Sequence, residues 1–188
     1  SSLLLERYLS AFEEASMACI TSINISARKG VRKTPVGDAP QVVLVDDGLE
    51  NDVHAGKWHR QVSFLAEASL AKARDMGLEV GPGDFAENFT TEGIDLLDLP
   101  LGTQLRLGKD VLVEISQIGK VCHTRCAIYH LAGDCIFPRE GIFGVVLHGG
   151  VVSAGNAIEV VRRGDGTCTH TPPEALAEVE AARKAGTL

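Results

Sequence analysis

The apolar residues of this chain are broken into short β-branched runs, and that pattern limits it to a fold built on sheet. ITSINIS (20–26), QVVLVDD (41–47), QVSFLA (61–66), TQLRLG (103–108) and VLVEISQIG (111–119) lie between Gly, Asp and Pro punctuation, as strands ended by turns do. Val111, Val113 and Ile115 alternate with period two, the spacing of a half-buried strand. Val42 to Val45 is an unbroken apolar run and predicts a strand covered on both faces.

Fewer segments read as helix. Ala66, Leu70 and Ala73 share a face over Glu67 to Gly77, with Gly77 placed to end the helix. A second helix is expected from about Arg139 to His148, stopped by Gly149-Gly150. VVSAGNAIEVV (151–161) predicts two short strands around a Gly155-Asn156 turn. Thr171-Pro172-Pro173-Glu174 has the spacing of a capping box and predicts a helix running to about Lys184. Leu4, Leu5, Tyr8, Leu9 and Phe12 give residues 1–16 the pattern of an amphipathic extension ahead of a domain over 17–162, with 163–188 as a tail. The whole reads as an α+β fold: a β-barrel or strongly bent sheet with a few peripheral helices.

The 188 residues suffice for one packed domain. A net charge of −7 disfavours nucleic acid as a partner unless a local basic patch exists. No run of about 18 apolar residues appears, so no membrane span is expected. Glu6, Glu13 and Glu14 are wrong for a signal peptide, which makes the cytoplasm the default location.

Three of the five cysteines, Cys122, Cys126 and Cys135, fall within fourteen residues. Cys122 sits beside Lys120, His123 and Arg125, and cationic neighbours favour the thiolate, the form that acts as nucleophile and metal ligand. The plain alternative is three buried thiols acting as small hydrophobes. A structural zinc site using these cysteines with His123 or His130 is a third reading, although the CxxC spacing of zinc ribbons is absent.

A second constellation, residues 51–70, places Asp52 and His54 around a turn ending at Gly56. Lys57, His59 and Arg60 then lead into a strand, an arrangement suited either to an anion-binding rim or to a solvated charged turn. In a third stretch, residues 82–108, Asn88, Thr90 and Thr91 offer uncharged hydrogen-bonding groups.

Taken together, these blocks resemble the MOSC domain, named for the C-terminal domain of molybdenum cofactor sulfurase. The matching pieces are Asp52-x-His54-x-Gly56 with Arg60 to Ser63, Gly83 to Asn88 with Thr91, Gly93 and Asp95, then Cys122, and a terminal strand over Gly155 to Val160. They cover about residues 18–162, and GDCIFPREGIF is similar to a small stand-alone bacterial subgroup. Asn51 stands where a glycine is usual and Val121 where proline is common.

The resemblance implies a β-barrel and a cysteine that either carries sulfur as a persulfide or ligates molybdenum. On the first reading Cys122 accepts sulfur, with Lys120, His123 and Arg125 stabilising it and Cys126 or Cys135 resolving it. The sulfur donor would be a partner such as a cysteine desulfurase, and the acceptors molybdenum-cofactor enzymes. On the second, the chain carries the molybdenum cofactor (molybdopterin): Cys122 is the metal ligand, and Lys57, Arg60, Arg125 and Arg139 are candidates for the phosphate end. His59, Asn88 and Lys120 complete the expected cofactor-binding set. A third reading is an enzyme cleaving carbon–sulfur bonds of a small metabolite, with Cys122 as nucleophile and His54 or His123 as base.

Overall fold

The computed structural model describes residues 17–122, 129 and 135–188. The strands are β1 (Cys19–Ile25), β2 (Thr34–Pro35), β3 (Gln41–Leu44), β4 (Gly48–Leu49), β5 (Val62–Ala66), β6 (Phe89–Glu92), β7 (Gln104–Leu107), β8 (Val111–Ile118), β9 (Ile142–His148), β10 (Gly150–Val152) and β11 (Ile158–Arg162). The α-helices whose bounds fall within the described residues are α1 (Glu67–Asp75), α2 (Phe137–Glu140) and α3 (Pro173–Lys184). The segment 1–16, read above as an amphipathic extension, lies outside the described residues.

Eight strands form one sheet in the order β11-β7-β8-β9-β5-β6-β1-β2, and β10-β3-β4 form a smaller one. Among the described strands only β5 and β6 run parallel; the remaining pairs are antiparallel. The large sheet bends until β1 meets the approach to β11. Ile20 N donates to Asn156 O over 2.9 Å, Gly155 N to Ile20 O over 2.7 Å, and Ile158 N to Ala18 O over 2.8 Å. Among the described residues, these bonds and a bridge between Cys19 and Ala157 join the two ends without a continuous ladder. The architecture is α+β on a strongly bent sheet.

Ile20, Val62, Phe64, Phe89, Leu105, Val113, Ile115 and Val146 fill the interior of that bend. Phe64 and Phe89 stack with ring centroids 5.1 Å apart, fastening the parallel pair. A second apolar cluster of Leu65, Leu70, Ala73, Phe85, Cys135, Ile136, Phe137 and Phe143 lies under α1 and α2.

Three local expectations need correction. The segment expected as a helix from Arg139 to His148 is the one-turn helix α2 followed by strand β9. IFGVVLH is a β-branched and aromatic run, and β9 is paired on both sides by β5 and β8, so tertiary pairing prevails over an ambiguous apolar pattern. The run Val42–Val45 is not covered on both faces. Val43 is 1% exposed, whereas Val42, Leu44 and Val45 are 38%, 38% and 55% exposed, because β3 belongs to the small sheet and only one of its faces packs inward. The two short strands around a Gly155-Asn156 turn are present as expected, with φ near 84° at Gly155; β10 pairs with β3 and β11 with β7, so the turn is a corner between sheets. The capping box does not form. Thr171 Oγ1 donates to Ser116 O over 2.6 Å, and α3 starts from Pro172 with no side-chain cap.

Candidate functional site

The turn before β5 is held by its own acid. Asp52 Oδ1 accepts from the Ser26 amide at 3.0 Å, and Oδ2 accepts from Lys33 Nζ at 2.8 Å and from the His54 amide at 3.1 Å. The side chains of Lys33 and Asp52 are 0% and 1% exposed, so this ion pair sits inside the protein. Burial alone would raise the Asp52 pKa. The Lys33 charge, together with hydrogen bonds from Lys33, Ser26 and Asn88, holds it below the ordinary carboxylate value. Burial also keeps Lys33 below the usual lysine range, against the pull of Asp52 and Glu87. Asn51 takes φ of 64°, a left-handed backbone that glycine adopts more readily than other residues.

His54 leans over this pair with Nδ1 3.8 Å from Asp52 Oδ2. Burial, then the positive charge of Lys33, brings its pKa down to about 4, although Asp52 pulls the other way. The imidazole is therefore neutral near pH 7, and its contact with Asp52 is not a salt bridge. A neutral imidazole keeps one ring nitrogen as an acceptor, as a proton-accepting group requires.

The GDFAEN stretch supports the turn from below. At Gly83, with φ of 85°, an added Cβ would fall 2.3 Å from Lys33 O. That close approach lets Lys33 N donate to Gly83 O at 2.9 Å and places the lysine over Asp52. Asn88 is 1% exposed. Its Oδ1 accepts from Ser63 N and Ser63 Oγ, both at 3.1 Å, and its Nδ2 donates to Asn24 O at 3.3 Å. Glu87 is fully buried, with Oε1 accepting from Gly83 N at 2.6 Å and from Thr90 Oγ1 at 3.0 Å. Its Oε2 has no hydrogen-bond partner among the described residues, and burial raises its pKa.

Cys122 enters the same neighbourhood from the end of β8. Gly119 turns with φ of 75° against Pro138 O, where a Cβ would lie at 2.6 Å, and Lys120 N donates to the same oxygen at 2.9 Å. Three residues on, Cys122 is exposed. Lys120 Nζ sits 5.5 Å from the Phe137 ring and lies close enough to Lys33 and His54 to act on both electrostatically. The Arg60 guanidinium lies 4.8 Å from the Trp58 ring centroid and 5.5 Å from that of Phe143. Burial lowers the Arg60 pKa while Glu178 and Cys122 pull it back, so both are within its electrostatic reach. Its Nε is buried with no hydrogen-bond partner among the described residues. His59 Nε2 bonds Gln117 Oε1 at 2.8 Å, and Gln117 Nε2 donates to Gly119 O at 2.7 Å, tying the Arg60 turn to the base of the Cys122 segment. Ser116 Oγ also donates to His59 O.

The structure thus brings His54, His59, Arg60, Lys120 and Cys122 around one region. Lys57 is exposed on the same turn, and Arg139 is half-buried on α2. Cys135 is 8% exposed within the second apolar cluster. His123, Arg125, Cys126 and His130 lie outside the described residues. Among the described residues no group of three metal-ligating side chains converges. Sequence reasoning missed Lys33 and Glu87. Glu87 lies inside the quoted GDFAEN motif and could have been found there; Lys33 belongs to no motif and is placed only by the fold.

A family model described as the MOSC domain matches residues 51–159. No curated protein matches the chain. Solved structures similar to it include YiiM from Escherichia coli (TM-score 0.62, 19% identity, covering 90% of this chain and 94% of that one). YiiM from Geobacillus stearothermophilus aligns with TM-score 0.62 and 24% identity over 88% of this chain and 83% of that one. The YUAD protein of Bacillus subtilis aligns with TM-score 0.63 and 16% identity over 76% and 94%. At these identities the structures speak for the fold alone.

Proposed function

Because the chain belongs to the MOSC domain family, we propose that it is a sulfur carrier in which Cys122 holds transferable sulfur as a persulfide. The observation that carries this reading is an exposed Cys122 whose sulfur lies within electrostatic reach of Arg60, with Lys120 two residues before it. In the transfer, the Cys122 thiolate attacks the outer sulfur of a donor persulfide. A new S–S bond forms, the donor's own S–S bond breaks, and the donor leaves as its thiolate, so no external oxidant is needed. Arg60 and Lys120 stabilise negative charge on sulfur before and after transfer. A second thiol, Cys126 or Cys135, would attack the Cys122 sulfur, leave a disulfide and release hydrosulfide. Cys135 could do so only by leaving its apolar cluster. A cysteine desulfurase is the fitting donor, and molybdenum-cofactor enzymes are fitting acceptors for a family associated with cofactor sulfuration.

A second reading, a molybdenum-cofactor carrier, is favoured by the buried Nε of Arg60, which has no hydrogen-bond partner among the described residues, within electrostatic reach of an exposed thiol. Cys122 would be the ligand, and Arg60 with Lys120 would hold the anionic end of the pterin. The bound metal would supply oxo- and sulfido-transfer chemistry.

The deciding experiment treats the chain with a sulfane-sulfur donor and reads intact mass. The wild type gains one sulfur that dithiothreitol removes, and Cys122→Ser gains none. Equal gain by the variant overturns the carrier reading. Molybdenum and pterin co-purifying in near-equimolar amounts from a cofactor-producing host would favour the second.

A further inference from the structure

The tail beyond residue 162 lies outside the family match, which ends at 159, yet it is bonded along β8 towards Cys122. Strand β7 accompanies β8 only part of the way. Gln104 opposite Glu114 is their last pair, after which Ile115 N donates to Thr103 O and Ile115 O accepts from Gly102 N, both at 2.8 Å. Over residues 116–118, β9 is the only strand paired with β8 among the described residues. The tail takes the place that β7 leaves. Cys168 Sγ donates to Glu114 Oε1 at 3.3 Å, Thr171 Oγ1 to Ser116 O at 2.6 Å, and Arg183 Nη2 to Ile118 O at 2.9 Å. Buried Val179 anchors α3 between Thr171 and Arg183. Side-chain donors thus hold main-chain carbonyls on the stretch that β7 does not cover.

That stretch is the common base of Arg60 and Cys122. Ser116 Oγ donates to His59 O, and Gln117 Oε1 bonds His59 Nε2 at 2.8 Å, which fixes the residue before Arg60. Gln117 Nε2 donates to Gly119 O at 2.7 Å, and Gly119 makes the turn that leads to Cys122. Arg183 Nη2 also lies 3.4 Å from the point where a Gly119 side chain would begin. Thr171 and Arg183 therefore grip the segment from which both the guanidinium and the thiol are presented, and act on both through it.

We infer that Thr171 and Arg183 are positioning residues that hold Cys122 within reach of Arg60, which makes the C-terminal helix part of the sulfur site. The sulfur role of that site rests on the carrier reading, whereas the positioning rests on the contacts of β8 alone.

The test reads the field of Arg60 at the sulfur. The folded full chain is alkylated with iodoacetate and, separately, with iodoacetamide, and peptide mapping gives the two rate constants at Cys122. The reagents differ chiefly in charge, so the ratio of the rates reports nearby positive charge rather than access. R60Q lowers the wild-type ratio about two- to threefold, the scale of one unit charge acting across several ångströms of water. In the T171V and R183M backgrounds R60Q no longer changes the ratio. T171S and R183K restore the response, since each keeps a donor for its carbonyl. Such a cycle separates the coupling of Arg60 to Cys122 from the mere loss of a charge at position 183. Arg183 is exposed, so R183M keeps its fold and decides the question even where T171V does not. No response to R60Q in the wild type, an undiminished response in folded T171V or R183M, or no restoration by T171S and R183K each overturns the inference. Sulfur uptake at Cys122 with undiminished responses sinks the positioning alone. Equal sulfur uptake by Cys122→Ser, with the responses lost as expected, sinks the carrier reading and leaves the positioning.

Discussion

Lys33 Nζ donates to Asp52 Oδ2 across 2.8 Å with both side chains sealed from water, so a lysine nineteen residues upstream fixes the turn that carries His54. A buried ion pair gains little over apolar packing, yet breaking one half leaves an uncompensated charge.

Lys33→Met therefore destabilises the protein by about 3–5 kcal/mol in urea unfolding. Adding Asp52→Asn recovers part of that loss. Additive losses in the double variant would show that the two charges are not coupled.

The depressed His54 pKa sets a pH limb. Above pH 6.5 the imidazole is neutral both folded and unfolded, and it adds no pH dependence. As pH falls from 6.5 towards about 4, the unfolded chain takes up a proton that the folded protein refuses, so stability declines across that window. Unfolding free energies measured along this range slope downward for the wild type, and the slope shrinks in His54→Gln. NMR titration places the His54 midpoint near 4; a midpoint near 6.5 would remove the basis for a neutral base at this position.

Gly83→Ala strains a backbone held at φ of 85° and drives a methyl group against Lys33 O. The loss exceeds about 1 kcal/mol. His54 then titrates closer to its ordinary value, because the backbone shift moves Lys33 away. Thermal unfolding and the same NMR titration read both effects, and an unperturbed His54 would disconnect Gly83 from the site.

Thiol accessibility separates the cysteines. Brief iodoacetamide treatment of folded protein, followed by peptide mapping, labels Cys122, while Cys135 and Cys168, each 8% exposed, react only after denaturation. Protection of Cys122 equal to that of Cys135 would contradict the exposed thiol on which the carrier reading depends.

Much of the fold was legible because β-branched runs between glycines and prolines leave few choices of backbone. β1, β5, β7 and β8 fall on the runs that predicted them. The failures share one cause. GIFGVVLH and Val42 to Val45 carry apolar residues without a decisive period, so pairing partners and the covering layer settle their conformation and burial. Thr171 shows the same at atomic scale: a capping side chain is redirected to the Ser116 carbonyl because α3 docks there.

The site divides in the same way. Residue order alone marked Cys122, His54, His59, Arg60 and Lys120, because reactive side chains concentrated in turns between strands are visible in one dimension, and the motif order was enough to place the chain in its family. Lys33 under Asp52, the buried Glu87 and the ring-stacked Arg60 were decided only by the folded chain. Each depends on desolvation or on charges brought together from distant segments, and electrostatic energy follows separation in space and the surrounding dielectric, neither of which is written in residue order.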